Sequence, residues 1–312
     1  MINRELIRLK VLQLVYAFYR SEREEDSLEL AKKELFFSFD KSYELYLFLL
    51  SSLIELKRVA ERKEEARQSK ANRLGTPIDG VFPEKMFAEN KFLCQLDINN
   101  ELVEYREKQK KEWIEEDAFY KRLYNTMIES DIYGMYLTRE DFSYEADREV
   151  IRKLYKTFIE GNDDFETLLE DHCLYWNDDK FLVDSFVLKT IKRFNESSDE
   201  TQPLLPQFAI ENDSEFAAQL FEATILRKEE IHTLISNNCK NWEFDRLAFM
   251  DIIIMQIALA EILTFPTIPL NVTFNEYLDI AKVYSTPKSA AYINGLLDHI
   301  VKQLRADKTI LK

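Results

Sequence analysis

The chain has 312 residues, 46% of them hydrophobic and 32% charged, with a formal net charge of −15. That is enough for two domains with real cores. Its 5 glycines and 7 prolines imply a mostly helical, all-α protein with few turns, and the isolated glycines exclude a phosphate-cradling loop or a dinucleotide fingerprint. Cys94, Cys173 and Cys239 are odd in number and far apart, which excludes a disulfide framework and suits a reducing cytoplasm.

The first twenty residues read as an amphipathic helix carrying Arg4, Arg8, Lys10 and Arg20 against Glu5. No small-residue cleavage site follows it, so it does not read as a secretory signal. Residues 28–68 follow a helical pattern, with Tyr43, Tyr46, Leu47, Leu50, Leu53 and Ile54 on one face and a mixed-charge run from Lys57 to Lys70. The stretch from Arg73 to Pro83 holds two glycines and two prolines and reads as a loop. A second break, rich in Ser, Asp and Pro, runs from Glu196 to Pro206. These breaks suggest N-terminal helices over 1–72, a loop over 73–90, a helical insertion over 91–205 and a C-terminal bundle over 206–312.

The insertion contains echoes. Residues 121–130 resemble residues 152–161, 31 positions on. At an offset of 66, Leu154, Ile159, Thr167-Leu168, Cys173, Trp176 and Asp179-Lys180 match Leu220, Ile225, Thr233-Leu234, Cys239, Trp242 and Asp245-Arg246. Part of the insertion is therefore expected to copy the helices that lead into the C-terminal bundle and to pack on it, as stacked repeats do. Its role stays open between polymerase, another factor and the bundle itself.

In the last quarter, a helix is expected from Phe244 to Leu263. From Leu247 to Ala260 only Asp251 and Gln256 interrupt its apolar residues, which marks a central buried helix. It is too short and too polar to cross a bilayer, which needs about 20 apolar residues. Glu261, at its end, needs a polar partner, for which Arg246 or a backbone amide of 264–272 are the candidates. Pro266 and Pro269 enforce an extended connection. Thr273-Phe-Asn-Glu276 reads as a capping box opening the next helix. The last helix is expected to start at Ser285-Thr286-Pro287 and to bury Ile293, Leu296, Leu297, Ile300, Val301 and Leu304. Gly295 within it costs about 1 kcal/mol relative to alanine, which a close helix–helix approach would explain.

Glu261-Ile262, Pro269, Asn275-Glu276, Ala281-Lys282 and Tyr292-Ile-Asn-Gly-Leu-Leu-Asp298, in this order and spacing, resemble the C-terminal half of the NusB family of transcription antitermination factors. Arg4, Arg8, Gln13 and Tyr16 resemble its arginine-rich first helix more weakly, since Glu5, Leu6 and Ile7 thin the cluster. The chain is about twice the usual length and resembles a long form with a central helical insertion. The resemblance implies an RNA-binding factor that binds boxA-like single-stranded RNA with the small-subunit ribosomal protein NusE and joins the RNA polymerase antitermination complex on ribosomal RNA operons. By position it implies an RNA face of Arg4, Arg8, Lys10, Gln13, Lys282, Ser285, Lys288, Ser289 and Tyr292, and a protein-partner role for Tyr16 and Asp251. Lysine and arginine would position the strand through its phosphates, and Tyr292, with Tyr284, would stack on bases. About four phosphate contacts would give a log–log salt slope near −3.

Charge is distributed to match. Residues 282–312 carry Lys282, Lys288, Lys302, Arg305, Lys308 and Lys312 against Asp298 and Asp307, whereas acids concentrate between 141 and 231. Because salt screens charges beyond about 8 Å, basic ends coexist with a negative total. Neither His172-Cys173 nor His232 with Cys239 has a metal-ligand spacing. The pairs Asp163-Asp164, Glu170-Asp171 and Asp178-Asp179 read as helix N-terminal and loop residues. NusB-like domains also precede the catalytic domain of some RNA cytosine-5 methyltransferases. With no catalytic domain expected beyond Lys312 and no cofactor loop, neither enzyme activity nor a cofactor is expected, and no membrane association. The alternative reading is a non-catalytic protein–protein adaptor of the transcription machinery that has lost RNA affinity.

Overall fold

The computed structural model describes residues 1–21, 27–75, 80, 82–109, 116–210, 212–239, 247–286 and 288–311. Among them the regular elements are fifteen α-helices and one 3-10 turn, Leu174–Trp176. In chain order they are α1 (Arg4–Arg20), α2 (Leu28–Leu74), α3 (Pro83–Ala88), α4 (Lys91–Ile98), α5 (Asn100–Lys108), α6 (Asp117–Ile128), α7 (Asp131–Leu137) and α8 (Tyr144–Phe158). Then follow α9 (Asp163–His172), α10 (Lys180–Arg193), α11 (Asp213–Leu226), α12 (Lys228–Asn238), α13 (Phe249–Thr264), α14 (Leu270–Tyr284) and α15 (Ser289–Ala306). None of them is long and apolar enough to cross a membrane.

The chain divides into two compact units. One comprises Met1 with Asp40–Gln207, the other Ile2–Phe39 with Phe208–Lys312. The second unit thus gathers both ends of the chain, and a backbone hydrogen bond from Ala209 to the carbonyl of Ile2 joins them.

In the first unit short helices begin where the sequence supplies a cap. The side chains of Asn90, Asn99, Ser130, Ser143 and Asn162 accept from Leu93, Leu102, Tyr133, Ala146 and Phe165 N–H at the starts of α4, α5, α7, α8 and α9. Each cap satisfies a backbone donor the helix leaves free, worth about 1 kcal/mol. The expected loop over 73–90 is shorter than its composition suggests. Helix α2 runs on to Leu74, and Pro83, suited to a first helical position, opens α3. Between them Gly75 takes a positive φ of 62°. Residues 76–79 and 81 lie outside the described residues.

In the second unit α13 is the core. Every residue from Asp251 to Ile262 is buried, and α1, α11, α12, α14 and α15 pack around it. The helix opens at Phe249 rather than Phe244, after an extended Ala248; Phe244-Asp245-Arg246 lie outside the described residues. The expected face of α15, from Ile293 to Leu304, is buried as a stripe. Pro287 lies outside the described residues.

Two local expectations fail. Thr273 does not cap a helix: Pro269 holds that place, α14 opens at Leu270, and Thr273 sits one turn inside. The fixed φ of Pro269 starts the helix early, which leaves the Thr273 hydroxyl free to bond a buried carboxylate instead. Gly295 is not a point of close approach, since a Cβ built there meets nothing within 4 Å.

The offset-66 echo extends into the structure. Helices α8, α9 and α10 of the first unit correspond in order and approximate bounds to α11, α12 and α13 of the second. Burial keeps the same register. Asp147, Val150, Ile151, Leu154 and Tyr155 match Asp213, Phe216, Ala217, Leu220 and Phe221, Phe165 and Leu169 match Ile231 and Ile235, and Phe186, Val187, Thr190 and Ile191 match Ile252, Ile253, Gln256 and Ile257. Thr167 and Thr233 each donate to the carbonyl four residues back, and Cys173 and Cys239 each follow the last helical residue. Trp242, Asp245 and Arg246 lie outside the described residues. In the 31-residue echo, Leu123-Tyr124 and Leu154-Tyr155 are buried in α6 and α8.

Candidate functional site

The residues expected to contact RNA and protein all lie in the second unit. Helix α1 is fixed first. Asn3 caps it by accepting from Leu6 N–H. Arg4 bonds the buried Asp213 of α11 at 3.1 Å and lies over the Phe216 ring, its side chain still 40% exposed.

One turn on, Arg8 is only 2% exposed. Its Nε and Nη2 donate to the two carboxylate oxygens of Glu261 at 2.8 and 3.0 Å, and Nη1 lies 3.3 Å from Glu276. Thr273 and Tyr277 donate to the same carboxylate at 2.7 and 3.0 Å. Glu261 therefore holds four hydrogen bonds, from α1 and α14. Of its expected partners, no 264–272 amide is among these, and Arg246 lies outside the described residues. Burial opposes the charge of Arg8, but Glu261 outweighs it and raises its pKa. Burial raises the Glu276 carboxyl, with Arg8 opposing, and pushes Tyr277 well above its ordinary value.

These contacts set the directions of three helices. Arg8 meets Glu261 near the end of α13, and Tyr16 meets Phe249 at its start with ring centroids 5.6 Å apart, so α1 runs antiparallel to α13. Helix α14 does the same, from Tyr277 at Glu261 to Ser285 at Asp251. Helices α1 and α14 consequently run in the same direction, linked through Arg8 and Glu276.

At the α14–α15 turn, Asp251 is buried. It accepts from Ser285 and, at 2.9 Å, from Ser289, while Thr286 and Ser289 hydroxyls lie 2.8 Å apart. The expected partner residue Asp251 is thus the internal anchor of the turn that carries the expected RNA residues. Lys282 and Lys288 flank this turn and are exposed. Lys282 pairs loosely with exposed Asp279 at 2.6 Å. Tyr292 is half-buried, its hydroxyl 3.6 Å from the Cys239 sulfur. Burial and then Cys239 raise its pKa. Tyr16, half-buried, shares the Arg20 guanidinium with Phe249, at 5.5 and 5.1 Å from the two ring centres.

Of the nine residues expected on the RNA face, Arg4, Lys282 and Lys288 present accessible charge. Gln13, Ser285 and Tyr292 are half-buried, and Arg8, Lys10 and Ser289 are buried. The resemblance put Arg8 on the RNA face, and its pairing with Glu261 was not foreseen. The signal was present as two separate oddities, an arginine between apolar residues and a glutamate on the most apolar helix.

A model of the NusB family matches residues 184–302. The chain is 34% identical over 132 residues to the transcription antitermination protein NusB of Geotalea daltonii, spanning 42% of this chain and 88% of that one. It is 40% identical over 93 residues to the NusB of Koribacter versatilis, and 40% identical over 89 residues to that of Geobacter sulfurreducens. Those matches cover 30% and 28% of this chain and 64% of each relative, just under two thirds of their length. No solved structure matches significantly. With most of a curated relative covered at this identity, the chain belongs to the NusB family.

Proposed function

We propose that this protein is an RNA-binding transcription antitermination factor that acts without catalysis. It binds a boxA-like single-stranded RNA together with ribosomal protein NusE, within the RNA polymerase antitermination complex, and promotes ribosomal RNA transcription. The observation that carries the RNA face is the common direction of α1 and α14, linked through Arg8, with exposed Lys282 and Lys288 flanking the turn pinned by Asp251. Arg4, Lys282 and Lys288 neutralise phosphates, and Gln13, Ser285 and Tyr292 offer polar and stacking contacts. Arg8 and Ser289 act from inside, by holding the helices that present the others, and Lys10 is buried with them. Tyr16 and its Arg20–Phe249 surroundings form the NusE contact, with Asp251 supporting it from beneath.

Three phosphate contacts correspond to a log–log salt slope of about −2 on single-stranded RNA. Fluorescence anisotropy with a boxA-like RNA, a scrambled RNA and added NusE tests this. Sequence-preferring binding that tightens with NusE, and whose slope flattens by about 1.4 in Lys282→Ala/Lys288→Ala, is expected. Burial of Arg8 and Lys10 favours one rival, an adaptor that binds NusE but not RNA. NusE binding with no preference for boxA over scrambled RNA would establish that rival.

A further inference from the structure

The first unit carries a groove of about 290 Å³ between α9 and α10. Leu169 and Trp176 are its buried apolar lining. Lys180, also lining it, is neutralised: its Nζ donates to Asp184 at 2.7 Å and to the Ile159 carbonyl at 2.9 Å. Glu160, Glu166 and Glu170 also line the groove, with Phe181. Phe181 is 80% exposed, and nearby Leu174 is 79% exposed. From Glu160 to Asp179 the sequence has eight carboxylates and neither lysine nor arginine.

The offset-66 correspondence separates the acids that have an acidic counterpart in the second unit from those that do not. Asp163 and Asp164 match Glu229 and Glu230, all in first helical turns, where the helix dipole favours negative charge. Glu160, Glu166 and Glu170 match Leu226, His232 and Ser236, although the lining residue Leu169 keeps its apolar counterpart Ile235. Glu170 and Asp171 lie in the last turn of α9, where acids oppose the dipole. The acidic rim is therefore a property of this copy, not a requirement of the three-helix packing.

We infer that this groove is a docking site for a basic segment of a partner protein, one that inserts a bulky apolar side chain between Trp176 and Phe181 and sets flanking lysines or arginines against Glu160, Glu166 and Glu170. Charge complementarity selects the occupant. The same rim repels nucleic-acid phosphates and the same acidic face of a second copy. The inference concerns the first unit and stands independently of the RNA face on the second.

The test uses the full chain and three fluorescein-labelled peptides: Lys-Arg-Lys-Phe-Lys-Arg-Lys, the same peptide with Ser for Phe, and a Glu/Asp-flanked Phe peptide. The first is expected to bind at low salt, and the other two weakly or not at all. Phe181→Ser alters an exposed side chain, so the fold survives, which circular dichroism checks. It is expected to weaken binding about tenfold, as loss of one buried aromatic contact predicts. Glu166→Lys/Glu170→Lys is expected to abolish binding while boxA RNA affinity remains. No binding of the basic peptide, or binding indifferent to both variants, overturns the proposal. So does sedimentation showing a dimer that Phe181→Ser dissociates, which would make the occupant a second copy, and so does RNA binding lost in Phe181→Ser.

Discussion

Arg8 and Glu261, 253 positions apart in sequence, form two parallel hydrogen bonds in the interior, at 2.8 and 3.0 Å. Such a pair repays its desolvation only when the remaining lone pairs are also satisfied, and Thr273 and Tyr277 satisfy those of Glu261. Removing one partner leaves the other charge buried and uncompensated. Arg8→Ala is therefore expected to lose about 3–5 kcal/mol of stability, read as a lower urea midpoint. Arg8→Met/Glu261→Leu is expected to recover only part of it, because the buried Thr273 and Tyr277 hydroxyls lose their acceptor. If Arg8 were mainly an RNA contact, Arg8→Ala would instead lower RNA affinity and leave the midpoint unchanged.

Asp251 decides between electrostatics and positioning, because the two give opposite signs. Removing an acid near a phosphate-binding turn tightens RNA binding if charge alone matters. Asp251→Ala, however, removes the charged acceptor that pins half-buried Ser285 and buried Ser289, leaving them only each other and Thr286, at about 1.5–3 kcal/mol per hydrogen bond to a charged group. The expected outcome is weaker RNA binding, with faster amide hydrogen exchange over 285–292. Tighter binding with unchanged exchange would remove the positioning role.

Much of the second unit was legible because its signals are local. The apolar run of α13 and the spacing from Ile293 to Leu304 each belong to one helix, and both are buried, the run from Asp251 on, with Ala248 and Phe249 at its start exposed. What escaped depends on distance along the chain. Thr273 and Glu276 have the spacing of a capping box, yet Pro269 starts the helix one turn earlier and both side chains turn to the Arg8–Glu261 cluster. Residues 83–88 read as loop because prolines and glycines surround them, but a proline also opens a helix. The echo between 147–192 and 213–258 was visible in a few identities. Its extent emerges only from burial, since Val150 and Phe216 share a position without sharing a residue.

His232 provides a pH test. Its Nε2 lies 2.9 Å from the Gln256 side-chain oxygen, and Gln256 itself donates to Tyr19 and to the Thr224 carbonyl. Burial lowers the His232 pKa from 6.5, with Gln256 opposing. The unfolded chain therefore binds a proton at this site more readily than the folded chain, and stability falls as pH drops below about 6.5. His232→Gln is expected to flatten the dependence of the urea midpoint between pH 7 and 5. Parallel curves for the two proteins would assign that dependence to other groups.

Gly295 sits mid-helix on an exposed face with open space where a Cβ would stand. Nothing among the described residues requires glycine there, so Gly295→Ala is expected to raise stability by about 1 kcal/mol, seen as a higher urea midpoint. The same face carries Asn294, which with Gly295 belongs to the Tyr292–Asp298 stretch that resembles other NusB proteins. Retaining the less stable residue is explained if a partner's backbone comes close there. Gly295→Ala should then weaken RNA or NusE binding while strengthening the fold, a combination that damage to the fold cannot produce. A variant that gains stability and keeps both affinities would return Gly295 to a neutral surface position.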